Sequence, residues 1–355
     1  MSKRKDPILT DLAADTDHIL REAKDLWEDL RNARLFITGG TGFFGCWLLE
    51  SFIEANRRFH LESQAVVLTR NEDDFRRRRP HLASDPAISF HKGDIRSFDF
   101  PPGRFTHVIH GATEANVKLN EEQPLVMVDV IVEGTRRALD FAAASSVKSF
   151  LFISSGAVYG RQPAAVTHMS ETYTGAPDPV HALSAYGESK RLAEFLCATY
   201  SREGRVSAKI ARCFCFFGPY LPLEAHYAVG NFIRDALRGD AVQVNGDGTP
   251  YRSYLYGADL AVWLWKILLK SEPGRPYNVG SEKRITVGDL ALEVVRVLNP
   301  AIPVRIAQTA VPGIPPEQYV PSIQRAKEEL SLRQTIDLAD GLRRTAAWAR
   351  REKRK

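Results

Sequence analysis

The sequence predicts an α/β fold: a doubly wound parallel sheet with a smaller C-terminal domain. Three observations carry that prediction. Apolar strand-like runs alternate with helical patterns from residue 34 onward, a glycine-rich turn (GGTGFFG) joins the first run to the first helix, and Pro/Gly-rich loops cluster late, at Pro219–Pro222 and Val311–Pro316. Such a βαβα rhythm needs helices on both faces of a sheet, because near-continuous apolar strands must be buried on both sides.

The elements follow in order. Leu12, Ile19, Ala23, Leu26 and Leu30 recur at helical spacing, so residues 8–32 read as one or two amphipathic helices, with Asp15 or Thr16 as a cap. They are expected to pack on the main domain or on a partner subunit. Strands are predicted at Arg34–Thr38, Gln64–Thr69, Thr106–His110 and Ser149–Ser154, with helices from about Phe44 to Asn56 and around Val126–Ala144. No internal repeat is visible. The run Arg76–Arg79 is the strong charge block and reads as a solvated loop or helix end.

Composition narrows the class. The chain has 355 residues, 44% hydrophobic and 26% charged, an ordinary globular balance with enough length for one large core or two modest ones. Four scattered cysteines (Cys46, Cys197, Cys213, Cys215) exclude a disulfide framework and show no metal-ligand spacing, so a cytoplasmic setting without metal is expected. No apolar run reaches membrane-span length, and the opening MSKRKDPILTDLAADTD lacks the apolar centre of a signal peptide. The net charge of +5 is mild and its arginines are dispersed, which argues against nucleic acid as the partner.

Gly39, Gly42 and Gly45 lie between a strand ending at Thr38 and the helix carrying Trp47 to Phe52. Glycines there let backbone amides approach a pyrophosphate at a helix N-terminus, where side chains would keep it out. In YGESK, Tyr186 and Lys190 are four apart and share a helix face. By itself this pair is a common coincidence, and Tyr186 reads equally well as an ordinary half-buried helix tyrosine. It gains meaning from SSGAVYG, Ser154–Gly160, at the end of an earlier strand, although Ser155 there also suits a strand-end cap.

With GGTGFFG, the GDI of Gly93–Ile95, HGAT at His110, SSGAVYG, YGESK, GDGTPYRSY and YNVGS, the chain from residue 34 on resembles the extended short-chain dehydrogenase/reductase family, in its nucleotide-sugar epimerase/dehydratase branch. The resemblance implies a Rossmann-type dinucleotide-binding domain over 34–215, completed by about 241–270. It implies a mainly substrate-binding domain over 216–355, after a helical extension at 1–33. It implies Ser155, Tyr186 and Lys190 as catalytic residues: Ser155 orients the substrate oxygen, Tyr186 moves a proton, and the Lys190 cation favours the phenolate and binds the nicotinamide ribose. Cofactor contacts are expected from Gly39, Thr41, Gly42, Phe43, Phe44 and Gly45, from Asp94 and Ile95 at the adenine, from Gly111, Ala112 and Thr113, and from Tyr186 and Lys190. Arg252 is expected on the diphosphate of a nucleotide-diphosphate sugar, with Asn231 near the nucleotide. Glu171 stands near the sugar pocket, unless it is an exposed loop carboxylate. A homodimer through the helices around Thr135 and Tyr186 is also implied.

Cofactor choice turns on AVVLTRNEDD. Thr69 and Arg70 replace the aspartate of NAD-preferring relatives, and a guanidinium suits a 2′-phosphate, so NADP(H) is favoured over NAD. Glu72, Asp73 and Asp74 follow closely enough to reach a ribose hydroxyl. Several positions depart from the family. Gly156 and Ala157 occupy the sites of the acid–base pair of 4,6-dehydratases, and Ala157 also speaks against a decarboxylase. Cys215 replaces an asparagine, GIPPEQYVP lacks an arginine before its tyrosine, and Ile131 replaces an asparagine that links to the active-site lysine. The expected activity is therefore hydride transfer at a ring carbon, C4, by an epimerase or a 4-ketoreductase. The alternatives are a 4,6-dehydratase, a decarboxylase or, in another class, a non-catalytic dinucleotide-binding sensor or structural protein.

Overall fold

A computed structural model of the chain describes residues 7–113, 117–225 and 227–352. Residues 1–6 of the expected N-terminal extension lie outside the described residues. The fold class is the one the sequence predicts. Strand β1 (Arg34–Thr38) lies between β2 (Gln64–Thr69) and β4 (His107–His110), and β3 (Ile88–Lys92) flanks β2. On the other side, β5 (Ser149–Ser155), β6 (Ala208–Cys213) and the edge strand Pro276–Val279 complete seven strands. The pairings of β1 with β2 and β4, of β2 with β3 and of β4 with β5 are parallel. Strand order reverses between β1 and β4, where Thr38 stands opposite His110. In doubly wound sheets such a switch point places ligands outside the carboxyl ends of the strands.

Helices α1 (Pro7–Glu22), α2 (Phe43–Phe59), α3 (Glu72–Arg78), α4 (Pro80–Ala83), α5 (Val117–Glu122), α6 (Pro124–Ala144) and α7 (Ala185–Arg202) accompany this sheet. Under α6 and α7 lies an aromatic cluster in which Phe36 meets Phe98, Phe105 and Phe141 at ring separations of 5.3, 5.7 and 4.7 Å. Each such ring, fully buried, is worth about 1.5–3 kcal/mol of transfer free energy.

The N-terminal extension belongs to the same unit as the sheet. Leu12, Ile19, Ala23, Leu26 and Leu30 are at most 2% exposed. Trp27 packs edge-on against Trp265 at 5.7 Å and donates to the Leu20 carbonyl, while the Trp265 indole donates to Ser51 Oγ at 2.8 Å. The expected cap is corrected: α1 starts at Pro7, so Asp15 and Thr16 lie inside it, and Thr16 Oγ1 donates back to the Leu12 carbonyl. Helix α3 and strand β3 were not predicted. The first has Phe75 as its sole buried residue, and the second shows no alternation of buried and exposed positions.

The described residues form two compact units. The first comprises residues up to 160, 176–212 and 261–277; the second comprises 161–175, 213–260 and 278 onward. Of the stretch 241–270 expected to complete the first domain, 261–270 lies in the first unit and 241–260 in the second. There Val242–Val244 pairs with Val304–Ile306, and Tyr251–Arg252 pairs with Ile285–Thr286 and Gln318–Tyr319. Those partners lie far along the chain, and local pattern does not reveal them. Helices Ala228–Arg238, Val287–Leu298 and Leu338–Glu352 pack together in that unit.

Candidate functional site

The glycine-rich turn crosses the end of β4 with no room for a side chain. Gly39 has φ +73°, and a Cβ there would stand 2.6 Å from the carbonyl carbon and oxygen of Gly111; one at Gly45 would stand 2.3 Å from the Gly40 backbone. Gly42 caps α2 without a side-chain hydrogen bond, so the helix end presents backbone amides and its positive dipole rather than a capping oxygen. Glycine cradle and uncapped helix end together fit a pyrophosphate. Thr41 is half-buried in the turn, and Phe43 and Phe44 open α2 with their rings 5.7 Å apart.

At the switch point a hydrogen-bonded chain ties three elements. The Ala112 amide donates to Thr38 Oγ1 at 3.1 Å, Thr38 Oγ1 lies 2.7 Å from His110 Nδ1, and His110 Nε2 lies 3.1 Å from Thr135 Oγ1 of α6. Burial, and secondarily the Lys190 charge, push His110 down to about 3, so it is a neutral imidazole. His107, on the same strand, is pushed down to about 4 by burial. The folded state refuses protons that unfolded histidines accept below about pH 6.5. Their contribution to stability is therefore full above that pH and is lost as pH falls towards 4 and 3. The expected slope is up to about 1.4 kcal/mol per pH unit per histidine. Denaturant unfolding between pH 7 and 5 checks this: His110→Gln should flatten the slope, and an unchanged slope would refute it.

Ser155, Tyr186 and Lys190 lie close together in the first unit. Ser155 ends β5, is buried, and accepts a hydrogen bond from the Ala157 amide at 3.1 Å; it thus caps the short turn Gly156–Tyr159 while its own O–H can still donate. Tyr186, half-buried, opens α7, and its amide donates to Asn120 Oδ1 at 3.1 Å. The next residue, Gly187, brings these two segments into contact, since a Cβ there would lie 2.8 Å from the Ala157 carbonyl. Lys190 is 3% exposed and donates to Thr113 Oγ1 at 2.9 Å and to the Ile153 carbonyl at 2.8 Å. Its Nζ is 5.9 Å from the Tyr186 ring centre. Ile131 lies in the apolar core at 1% exposure, so the polar link to Lys190 expected from α6 comes instead from Thr113.

Sequence reasoning missed the support behind these residues. Ser154 Oγ donates to Glu194 Oε1 at 2.5 Å, and Arg212 pairs with Glu194 at 2.6 Å while donating to the Tyr159 hydroxyl at 2.9 Å. This buried pair ties the end of β5 to α7 and β6. Only its spacing four residues after Lys190 hinted that Glu194 faces the same way.

At the ends of β2 and β3, Arg70 is exposed and the Gly93 amide donates to the Thr69 carbonyl, setting Asp94 nearby. Asp94 is clasped by Arg96 through two guanidinium bonds of 2.8 and 3.0 Å, which hold its carboxyl down at about 2. Ile95 is buried against Gly134 of α6. Two of the three acidic residues expected to reach a ribose are engaged locally: Glu72 accepts from Arg76, and Asp74 from Arg77 and Arg78. Arg76–Arg78 form the basic last turn of α3.

The remaining candidates belong to the second unit. Arg252 is half-buried, with Nη1 donating to the Tyr251 carbonyl at 2.9 Å and Nη2 3.5 Å from Glu317. Burial pushes the neighbouring Cys215 thiol up to about 11, with Arg252 opposing that shift. Asn231 Oδ1 accepts from Arg234 at 3.0 Å. Glu171 is not an exposed loop carboxylate: it is half-buried and accepts the Asn278 amide at 2.9 Å, while the Asn278 side chain bonds the Met169 and Ser322 carbonyls. Among the described residues no group of His, Cys, Asp or Glu is placed to hold a metal ion, and no helix is long and apolar enough to cross a membrane.

The chain is similar to known proteins over most of its length. UDP-glucuronic acid decarboxylase 6 of Arabidopsis thaliana is 28% identical over 311 residues, 88% of this chain and 87% of that protein. The dTDP-glucose 4,6-dehydratase of Streptomyces antibioticus is 27% identical, covering 89% and 92%. In structure, the UDP-glucose 4-epimerase of Thermotoga maritima superposes with a TM-score of 0.76 at 22% identity, over 90% of this chain and 99% of that one. The profile of the NAD dependent epimerase/dehydratase family matches residues 35–280, from the first residues of β1 through the edge strand. Glycine cradle, switch point and the Ser155–Tyr186–Lys190 group all fall within that span, and the chain belongs to the NAD dependent epimerase/dehydratase family.

Proposed function

We propose that the protein modifies a nucleotide-diphosphate sugar by hydride transfer at a ring carbon, C4, as an epimerase or a 4-ketoreductase. The observation that carries this reading is the convergence of Ser155, Tyr186 and Lys190 beside a glycine cradle, while Gly156 and Ala157 hold no group that can carry a proton. Dinucleotide contacts are assigned to Gly39–Gly45, to Gly111 and Ala112, and to Asp94 and Ile95, while Thr113, expected among them, is engaged by Lys190; Arg252, with Asn231 and Glu171, is assigned to the sugar nucleotide. Arg70 favours NADP(H), since no carboxylate follows β2 directly. When bound, the nicotinamide accepts or supplies the hydride. Tyr186 exchanges the proton of the sugar hydroxyl, Ser155 donates to the same oxygen, and the Lys190 charge favours the phenolate.

Relatedness to UDP-glucuronic acid decarboxylases favours a second reading. Oxidation of a uronic acid at C4 yields a β-keto acid, which loses CO2 without needing an acid–base pair at 156 and 157. Incubation with UDP-hexoses, a UDP-uronic acid and 4-keto sugars, followed by product mass and stereochemistry, separates these reactions. Inversion at unchanged mass, or a gain of two hydrogens with NADPH consumed, is expected; loss of CO2 selects the decarboxylase. Loss of water overturns the argument from Gly156 and Ala157.

A homodimer is part of the proposal. Leu125 of α6 and Leu192 and Phe195 of α7 are 76%, 46% and 59% exposed, on adjoining helices. Sedimentation should give twice the 39.7 kDa chain mass, and Phe195→Glu should halve it. A wild-type monomer would sink this part.

A further inference from the structure

Lys190 does not rely on the helix face alone to aim its ammonium. Two hydrogen bonds to the chain's own acceptors hold it, one to the Ile153 carbonyl of β5 and one to Thr113 Oγ1. An ammonium on a four-carbon stem carries about 2 kcal/mol of rotamer entropy, so two anchors on separate segments restrict it where one would let it swing. The strand carbonyl is fixed by the sheet. Thr113 stands on irregular backbone, three residues past His110 at the end of β4, and something must hold that exit in place.

The switch-point chain does so. His110 lies between a hydroxyl of β1 and a hydroxyl of α6, and the Thr38 hydroxyl also receives the Ala112 amide. With Thr38 Oγ1 accepting from Ala112 and donating to Nδ1, the imidazole proton stays on Nε2, aimed at Thr135. Gly39 then packs against Gly111 at the approach a Cβ would close. The exit of β4 at residues 110–112 is therefore held by β1 and, through His110, by α6.

We propose that Thr113 is a positioning residue whose hydroxyl sets where the Lys190 ammonium stands beside Tyr186, and that the Thr38–His110–Thr135 chain is the brace that keeps it there. This rests on the reading of Tyr186 and Lys190 as the reacting pair and adds to it the residue that aligns them. Thr113→Val keeps the shape and removes the acceptor; Thr113→Ser restores it. Thr135→Val withdraws the far end of the brace.

The test is a set of crystal structures with NADPH bound, together with NADPH titration and steady-state kinetics on whichever nucleotide sugar the wild type turns over. In Thr113→Val, Lys190 Nζ should shift by about 1 Å and kcat should fall by on the order of 100-fold, with sugar KM and NADPH affinity near wild type. Thr113→Ser should recover most of the rate, and Thr135→Val should show a smaller loss of the same kind. An unmoved Nζ, or unchanged kcat, in Thr113→Val overturns the proposal. Parallel loss of NADPH affinity and kcat also overturns it, making Thr113 a cofactor contact. A normal rate in Thr135→Val removes the brace alone. If the wild type turns over no nucleotide sugar, the proposed function fails, and the Nζ position still decides the role of Thr113.

Discussion

Tyr186→Phe should lower sugar turnover by about 1000-fold while leaving dinucleotide affinity near wild type, because it removes one hydroxyl and little volume. Tyr186 is half-buried at the start of α7 and its backbone is held by Asn120, so the phenyl ring should keep its place. Stopped-flow absorbance of the nicotinamide reads the hydride step, and titration reads binding. A loss confined to the hydride step supports a proton-transfer role. Unchanged turnover would remove Tyr186 from the chemistry; unchanged partner recruitment in a protein without turnover would favour the non-catalytic sensor. Lys190→Met is a weaker test, since it also withdraws the bonds to Thr113 and Ile153.

Gly39→Ala is expected to abolish tight dinucleotide binding and to cost about 2–6 kcal/mol of stability. Two costs add: a left-handed residue with a side chain is strained by about 1–3 kcal/mol, and a methyl group 2.6 Å from the Gly111 carbonyl overpacks by a similar amount. Relief requires β1 and β4 to part at the switch point, which widens the cradle meant for the pyrophosphate. Denaturant midpoints and NADPH titration measure the two effects separately. Gly313→Ala is the control, since its φ is also positive (+83°) but its Cβ would meet open space. Equal losses at both positions would mean that strain alone, and not the crossing of chains, accounts for Gly39.

The strands β1 and β2 were legible to the residue, because their apolar runs are bounded by Arg34 and Gln64 on one side and by the glycine turn or Arg70 on the other. The N-terminal helices were equally clear, since all five periodic residues lie inward. Helix α3 and strand β3 escaped because their burial has no clean period. At the candidate site, the glycines, Ser155, Tyr186 and Lys190 could be named from motifs. That Arg96 clasps Asp94, or that Glu194 joins Ser154 to Arg212, could not, because those partners sit on separate turns, helices and strands.

By itself the sequence determined the fold class, the places of β1, β2, β4 and β5 and the residue types available for proton and hydride chemistry. Those follow from periodicity and local backbone demands, which neighbouring residues encode. The tertiary structure decided what depends on register and on contacts between distant segments. Thr38 meets His110 because β1 and β4 pair in parallel, Lys190 finds Thr113 across 77 positions of chain, and Val242–Val244 and Tyr251–Arg252 pair with strands nearer the C-terminus. A hydrogen bond or a strand pairing between remote residues leaves no periodic trace, so only the folded chain shows which hydroxyl holds the lysine.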